Sequence, residues 1–430
     1  MNLTRRNFLK LSSLSTLTGI LNRPAWMPRM AFRPASGGPA GDILICIFLR
    51  GAMDGLNAVV PHAESRYHDL RPTIAIADPD QPQGVIDLDG FFGLHPALAP
   101  LKDIYDEKHL AFIHASGSPD PSRSHFSAQD YMERGVPGDL TIATGWLARH
   151  LSSITWQNDS PFRAVGMGGI LQKSLSGPIS ALALKSIDGF QLNGDEREIE
   201  RVQQTLQSLY AGDGWLQQEG RLVFEAFDYL AAADPAQYQP QHGADYGEDA
   251  FGMGLKQIAQ IIRADMGLEA AAIDLNGWDT HAEQGGVEGY MANLLQQLAA
   301  GLSAFYTDMQ DEMQRITLVT MSEFGRRVKE NASLGTDHGH GNVMFLMGGG
   351  VNGGRVYGDW PGLQEENLDR GDLAITTDYR TVLSEIVKKR LLNDQLSQVF
   401  PDFTQTPFLG LVQDGAAMFD YRQFLPSVGL

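Results

Sequence analysis

Five short polar clusters in this chain carry residue types that bind divalent ions or move protons. They read RGAMDG with Asp54, SGSPDPSRSHF with Ser124 and His125, NGWDTH with Asp279 and His281, SEFGRR with Glu323 and Arg326, and GTDHGHG with Asp337, His338 and His340. Carboxylates and imidazoles in such groups suit zinc, manganese, magnesium or calcium. Asp279/His281 and His338/His340 are both i, i+2 pairs. On a helix such residues point about 200° apart and cannot share an ion; on extended backbone they face the same way. Gly277, Gly339 and Gly341 favour tight, non-helical backbone around them. The spacing therefore predicts two extended pairs converging on a small ion cluster.

Each cluster also has a structural alternative. Asp54 suits a turn, Ser122 or Ser124 suits the N-cap of a following helix, and Glu323 suits an ion pair with Arg326 or Arg327. The other histidines (His62, His68, His95, His109, His114, His150 and His242) read as structural or surface residues. What favours a site is where the clusters fall. ILICIFL (43–49), LAFIHA (110–115), AAAIDL (270–275) and ITLVTM (316–321) are continuous apolar runs that read as buried strands, and a polar cluster follows each one. VMFLMG (343–348) is another such run, with TDHGHG just before it. Ligands of open α/β sheets bind beyond the carboxyl ends of the strands.

Helical patterns separate these strands: 95–109, 124–134, a stretch near 287–313, and a capped helix at 376–392. The alternation predicts an α/β fold, with a mostly parallel central sheet and helices on both faces. Within 193–265 the apolar residues recur at helical spacing (Ile199, Val202, Leu206, Leu209, then Leu255, Ile258, Ile261, Ile262), which reads as a helical insertion or cap.

The first residues, MNLTRRNFLKLSSLSTLTGIL, place Arg5-Arg6 before a short apolar run that is too short to span a bilayer. Residues 1–40 read as a twin-arginine export signal and linker, with the mature start within 30–40 and residues 41–430 as the domain. That route carries folded proteins, often with a metal already loaded, so the translocation machinery is an expected partner and a periplasmic or secreted location is expected. The 430-residue chain has a formal charge of −19, and residues 1–40 hold no Asp or Glu. So acidic a body repels nucleic acid and anionic membrane. The single Cys46 excludes an internal disulfide. No Cys pair or dinucleotide fingerprint supports a redox enzyme; GMGG (166–169) and MGGGVNGG (347–354) read as turns.

LRGAMDGLNAVVP, GLHPALAPL, SRSHFSAQDYMERG, NGWDTHAEQG, MSEFGRR and GTDHGHGNVMFLMGGGVNGG, after a twin-arginine signal, resemble an exported bacterial family known as domain of unknown function 1501. The resemblance covers residues 42–415. That family is grouped with the alkaline phosphatase superfamily, so the resemblance implies an alkaline-phosphatase-like fold. It also implies metal-assisted hydrolysis of phosphate or sulfate esters, or an exported binding or assembly protein that retains the fold. The superfamily pattern implies Asp54 after the first strand, Ser124 as a nucleophile at a helix start, and Asp279 with His281 as ligands. Its next element, an Asp-His pair directly after a strand, is replaced here by Glu323-Phe324. In one register Asp337-His338 is that pair. In the preferred one Glu323 takes the Asp position and His338 or His340 is the final ligand, which leaves a second metal site a ligand short. Arg123 or Arg326 would clamp the non-reacting oxygens, and His125 would be ligand, acid/base or structural. Ser118-Pro119-Asp120-Pro121-Ser122-Arg123 does not match the Cys/Ser-x-Pro-x-Arg context of formylglycine sulfatases.

Overall fold

A strand with no polar interruption needs apolar cover on both faces, and the structure supplies it. The computed structural model describes residues 42–154, 158, 160–187 and 238–415, with isolated positions between 188 and 237. The expected export signal and most of the expected insertion lie outside the described residues.

The main elements, in chain order, are β1 (Ile43–Arg50), β2 (Leu110–Gly117), α1 (His125–Arg134), α2 (Trp146–Ser153), β3 (Ala164–Met167), β4 (Leu182–Leu184), α3 (Ala250–Arg263), β5 (Ala270–Asn276), α4 (Tyr290–Met309), β6 (Ile316–Met321), β7 (Asn342–Gly348), β8 (Arg355–Tyr357), β9 (Thr377–Asp378) and α5 (Tyr379–Lys389). Nine strands form one sheet in the order β8-β2-β7-β6-β1-β5-β3-β4, with β9 also paired to β2. β1 pairs in parallel with β5 and β6, and β3 with β4 and β5. Only β7 runs against its neighbours, β2 and β6. A separate three-stranded antiparallel sheet joins Val59–Val60, Gly93–Leu94 and Ile86–Asp87.

β1 shows how the core is built. Ile43, Ile45, Ile47 and Leu49 enter one apolar layer with Leu255 and Ile258 of α3 and Leu295 and Leu298 of α4. Leu44, Cys46 and Phe48 enter the other, with Trp146 and Leu151 of α2 and Leu383 and Ile386 of α5. Each such side chain contributes about 1.5–3 kcal/mol when buried, so the centre of the sheet is the rigid part of the molecule. The α/β expectation, with helices on both faces, is met. α3 lies within the expected insertion and packs against the sheet: a Cβ on its Gly254 would sit 2.5 Å from Ile273 of β5. The expected helix at 95–109 is instead a 3-10 turn (Pro96–Leu101) followed by a short α-helix (Lys102–Asp106); Pro100, inside the turn, has no N–H to continue an α-helical ladder.

The direction of β7 decides where the loop before it lies. Because β7 runs antiparallel, the residues before it sit at the same edge as the residues after β1, β2, β5 and β6. That is how GTDHGHG meets the other four clusters.

Candidate metal centre

Small residues let the loops at this edge touch. Gly51, directly after β1, has φ +113°, and a Cβ there would lie 2.6 Å from the backbone N of Asp279. A Cβ on Gly339 would collide with the carbonyl carbon of Arg326. The TDHGH segment is thus laid across the SEFGRR turn, with the Gly339 N–H donating to the Gly325 carbonyl at 2.8 Å.

Four side-chain atoms come together there. Nε2 of His125 and Nε2 of His338 are 2.9 Å apart. Oδ1 of Asp279 is 3.4 Å from the first and 3.2 Å from the second. Nε2 of His281 joins them, 2.9 Å from His338 Nε2 and 3.2 Å from Asp279 Oδ1. Two ligand atoms held about 2.0–2.1 Å from a tetrahedral ion lie about 3.3 Å apart. His125, Asp279 and His338 form a group able to hold a metal ion.

The other ring nitrogens show why these rings face inward. Nδ1 of His125 lies 2.7 Å from Oε1 of Glu323. Nδ1 of His338 lies 2.8 Å from the carbonyl oxygen of Arg123. Nδ1 of His281 lies 3.1 Å from Oδ1 of Asp337. All three partners are acceptors, so each neutral ring carries its proton on Nδ1 and turns an Nε2 lone pair toward the cluster. Lone pairs 2.9 Å apart repel unless a cation or a shared proton lies between them. Metal-ligating histidines use this arrangement, with the far nitrogen donating to a carboxylate or carbonyl.

The charges agree with it. Burial opposes ionisation of Glu323, but hydrogen bonds from His125, Gln129 and the Gly51 N–H outweigh it and hold its carboxyl below the usual range. Asp279 behaves similarly: against burial, Arg326 brings it down to about 2. The hydrogen bond to Glu323 raises His125, whereas burial and then the charges of His125 and Arg326 lower His338.

Three of the assigned residues are engaged by partners other than those expected. Asp54 is buried, takes a two-pronged ion pair from Arg71 (2.5 and 3.1 Å) and accepts from Gln284 at 2.7 Å, so its carboxylate is that of a buried counter-ion. Arg326 cannot clamp a substrate, because its buried guanidinium already donates to the carbonyls of Gly51, Ala52, Trp278 and Thr336 and to Asp279 at 2.7 Å. It positions Asp279 instead. The ring of His340 is engaged away from that of His338. The chain bends at His340, which breaks the extended alternation, and its ring bonds to Asp369 and to the Ser118 carbonyl.

Glu323 and Asp337 each accept a hydrogen bond from a clustered histidine, and His125 is itself one of the clustered residues. Ser124 precedes α1 as its N-cap, yet its side chain makes no capping bond and it is exposed. Sequence reading passed over Gln129, which donates to Glu323 at 2.8 Å, and Asn331, which donates to Asp337 at 3.0 Å. It also missed Arg71 as the partner of Asp54. Gln129 had a readable trace: it lies one helical turn beyond His125.

The sequence profile described as "Protein of unknown function (DUF1501)" matches residues 114–384, and the chain belongs to that family. No curated protein matches it. Among solved structures it is similar to the C-terminal periplasmic domain of EcEptC from Escherichia coli, a complex with Zn. Identity is 11%, the TM-score is 0.39, and 93% of this chain and 98% of that one are covered. A likeness at this level assigns nothing to the residues here.

Proposed function

We propose, with membership of that family as the premise, that the chain is a metal-dependent hydrolase of phosphate or sulfate esters. Its ion would be held by His125, Asp279 and His338, with His281 beside them. The observation that carries this reading is the meeting of two Nε2 lone pairs and one carboxylate oxygen from His125, His338 and Asp279, with the Nε2 of His281 against two of them and every Nδ1 committed elsewhere. Imidazole-rich donors favour zinc or another transition ion over calcium or magnesium, which prefer all-oxygen shells. One ion fits better than two, because Arg71 already neutralises Asp54.

When bound, such an ion supplies Lewis-acid polarisation of an ester oxygen. The chain's own residues supply the rest. Ser124 presents an exposed hydroxyl next to His125 and at the N-terminus of α1, where unpaired backbone N–H groups favour an anion. Arg326 keeps Asp279 ionised and aimed. Export by the twin-arginine machinery, through Arg5-Arg6, would place this chemistry outside the cytoplasm. The charge of −19 argues against nucleic acid as substrate. No helix among the described residues is long and apolar enough to cross a membrane.

One observation favours the second reading, a metal-holding binding or assembly protein. Arg326 is fully engaged, and Arg123 is paired with Asp372. Both arginines expected to clamp an anion are therefore committed before an anionic ester arrives. Assays of 4-nitrophenyl phosphate and sulfate hydrolysis on metal-loaded protein separate the two. For a hydrolase, His338→Ala loses both ion and turnover, while Ser124→Ala keeps the ion and loses turnover. One bound equivalent of metal with no turnover in the wild type selects the binding protein.

A further inference from the structure

Resting on the metal-site reading above, we propose that Gln129 is a positioning residue that fixes the ion-facing lone pair of His125 through Glu323. His125, Gln129 and Glu133 lie four residues apart on α1 and so share one face of it. They meet three successive parts of one polar chain. His125 meets the candidate ion position. The Gln129 side-chain amide donates to Oε1 of Glu323 at 2.8 Å, and its oxygen accepts from Nη1 of Arg50 at 3.3 Å. Glu133 pairs with the same Nη1 at 3.1 Å, and Arg50 reaches Asp274 on β5 at 2.9 Å.

The chemistry of the two partners sets the direction of the amide. A guanidinium only donates, so the amide oxygen must face Arg50. That turns the amide N–H toward Glu323. Oε1 of Glu323 then holds three donors: Gln129, the Gly51 N–H at 2.9 Å and Nδ1 of His125 at 2.7 Å. The Glu323 side chain is 0% exposed, so no bulk water replaces a missing donor. Without Gln129 the carboxylate is free to rotate about its remaining contacts, and the His125 ring rotates with it. A merely structural amide would affect folding and leave the ligand untouched. A positioning amide changes the geometry at the ion in the folded protein as well.

The test uses Gln129→Met, which keeps an unbranched side chain of similar length and removes both hydrogen bonds. Gln129→Asn keeps an amide too short to bridge, and serves if the first variant folds poorly. Asp130→Asn is the helix control, since Asp130 pairs with Arg134 and Lys173, away from the cluster. Cobalt(II) serves as the probe, because its visible absorption reports coordination geometry as well as occupancy. Both Gln129 variants are expected to bind cobalt about tenfold more weakly, as when an outer partner of a metal ligand is removed. Their absorption bands are expected to shift as well, which a loss of stability alone, as read from melting temperatures beside Asp130→Asn, does not produce. Wild-type affinity and an unshifted band in both variants would overturn the role of Gln129 alone. Failure of the wild type to bind cobalt would overturn the metal site and this role together.

Discussion

Two arms of the cluster have the same wiring and opposite surroundings. In one, Gln129 donates to Glu323 and Glu323 holds Nδ1 of His125. In the other, Asn331 donates to Asp337 and Asp337 holds Nδ1 of His281. Both imidazoles then reach Nε2 of His338 at 2.9 Å. The first arm is built from a sheet end and a helix, and its carboxylate side chain is 0% exposed. The second is built from loops, and its carboxylate is 56% exposed. Equal connectivity does not mean equal strength. Water competes for every hydrogen bond of the second arm and for none at the first carboxylate. The first arm is therefore a fixed support, and the second an adjustable one.

The largest effect on stability that would break this comparison is at the carboxylates. Glu323→Ala leaves His125, Gln129 and the Gly51 N–H without their shared acceptor; stability should fall by about 1–3 kcal/mol. Metal affinity should fall roughly 10–100-fold. Asp337→Ala removes an exposed partner, so stability should change by no more than about 0.5 kcal/mol, with the smaller loss of affinity. Chemical denaturation and metal titration of both variants check this; equal losses would remove the distinction between the arms.

At the histidines the smaller effect is on stability and the decisive one is on metal binding. His125→Ala should abolish tight binding, whereas His281→Ala should weaken it and leave one ion still bound. Isothermal titration of each variant decides, and the reverse order would make the exposed arm the principal one.

The smallest effect is in pH dependence. An ion competes with a proton for Nε2 of His125, which Glu323 holds above the usual histidine range. Affinity should therefore rise as pH increases through that raised value and level off above it. Glu323→Gln removes the charge that raises it, so the step should move to lower pH. Binding measured across neutral pH tests the sign: a shift upward, or none, contradicts it.

The asymmetry also explains what could be read from the sequence. Each strand assigned to a continuous apolar run is present, because burial on both faces leaves a local mark. That four polar clusters follow strand ends was equally legible; that GTDHGHG joins them depends on the antiparallel direction of β7, which the sequence pattern did not mark. The role of each polar residue was not. Asp54 reads as a ligand until Arg71 is seen against it, and Arg326 reads as a free cation until four distant carbonyls are seen around it. His125 and Glu323 lie 198 residues apart in sequence and 2.7 Å apart in space. Such pairings depend on tertiary packing, which no local spacing encodes. His340 failed for another reason: one bend cancels the alternation that an extended segment would have kept.

The central claim is that His125, Asp279 and His338 hold one ion. Zinc titration of the wild type beside His338→Ala, read by elemental analysis of the desalted protein, tests it most directly. The account predicts one zinc per chain in the wild type and none in the variant. A wild type that retains no zinc, or a His338→Ala variant that retains a full equivalent, would contradict it.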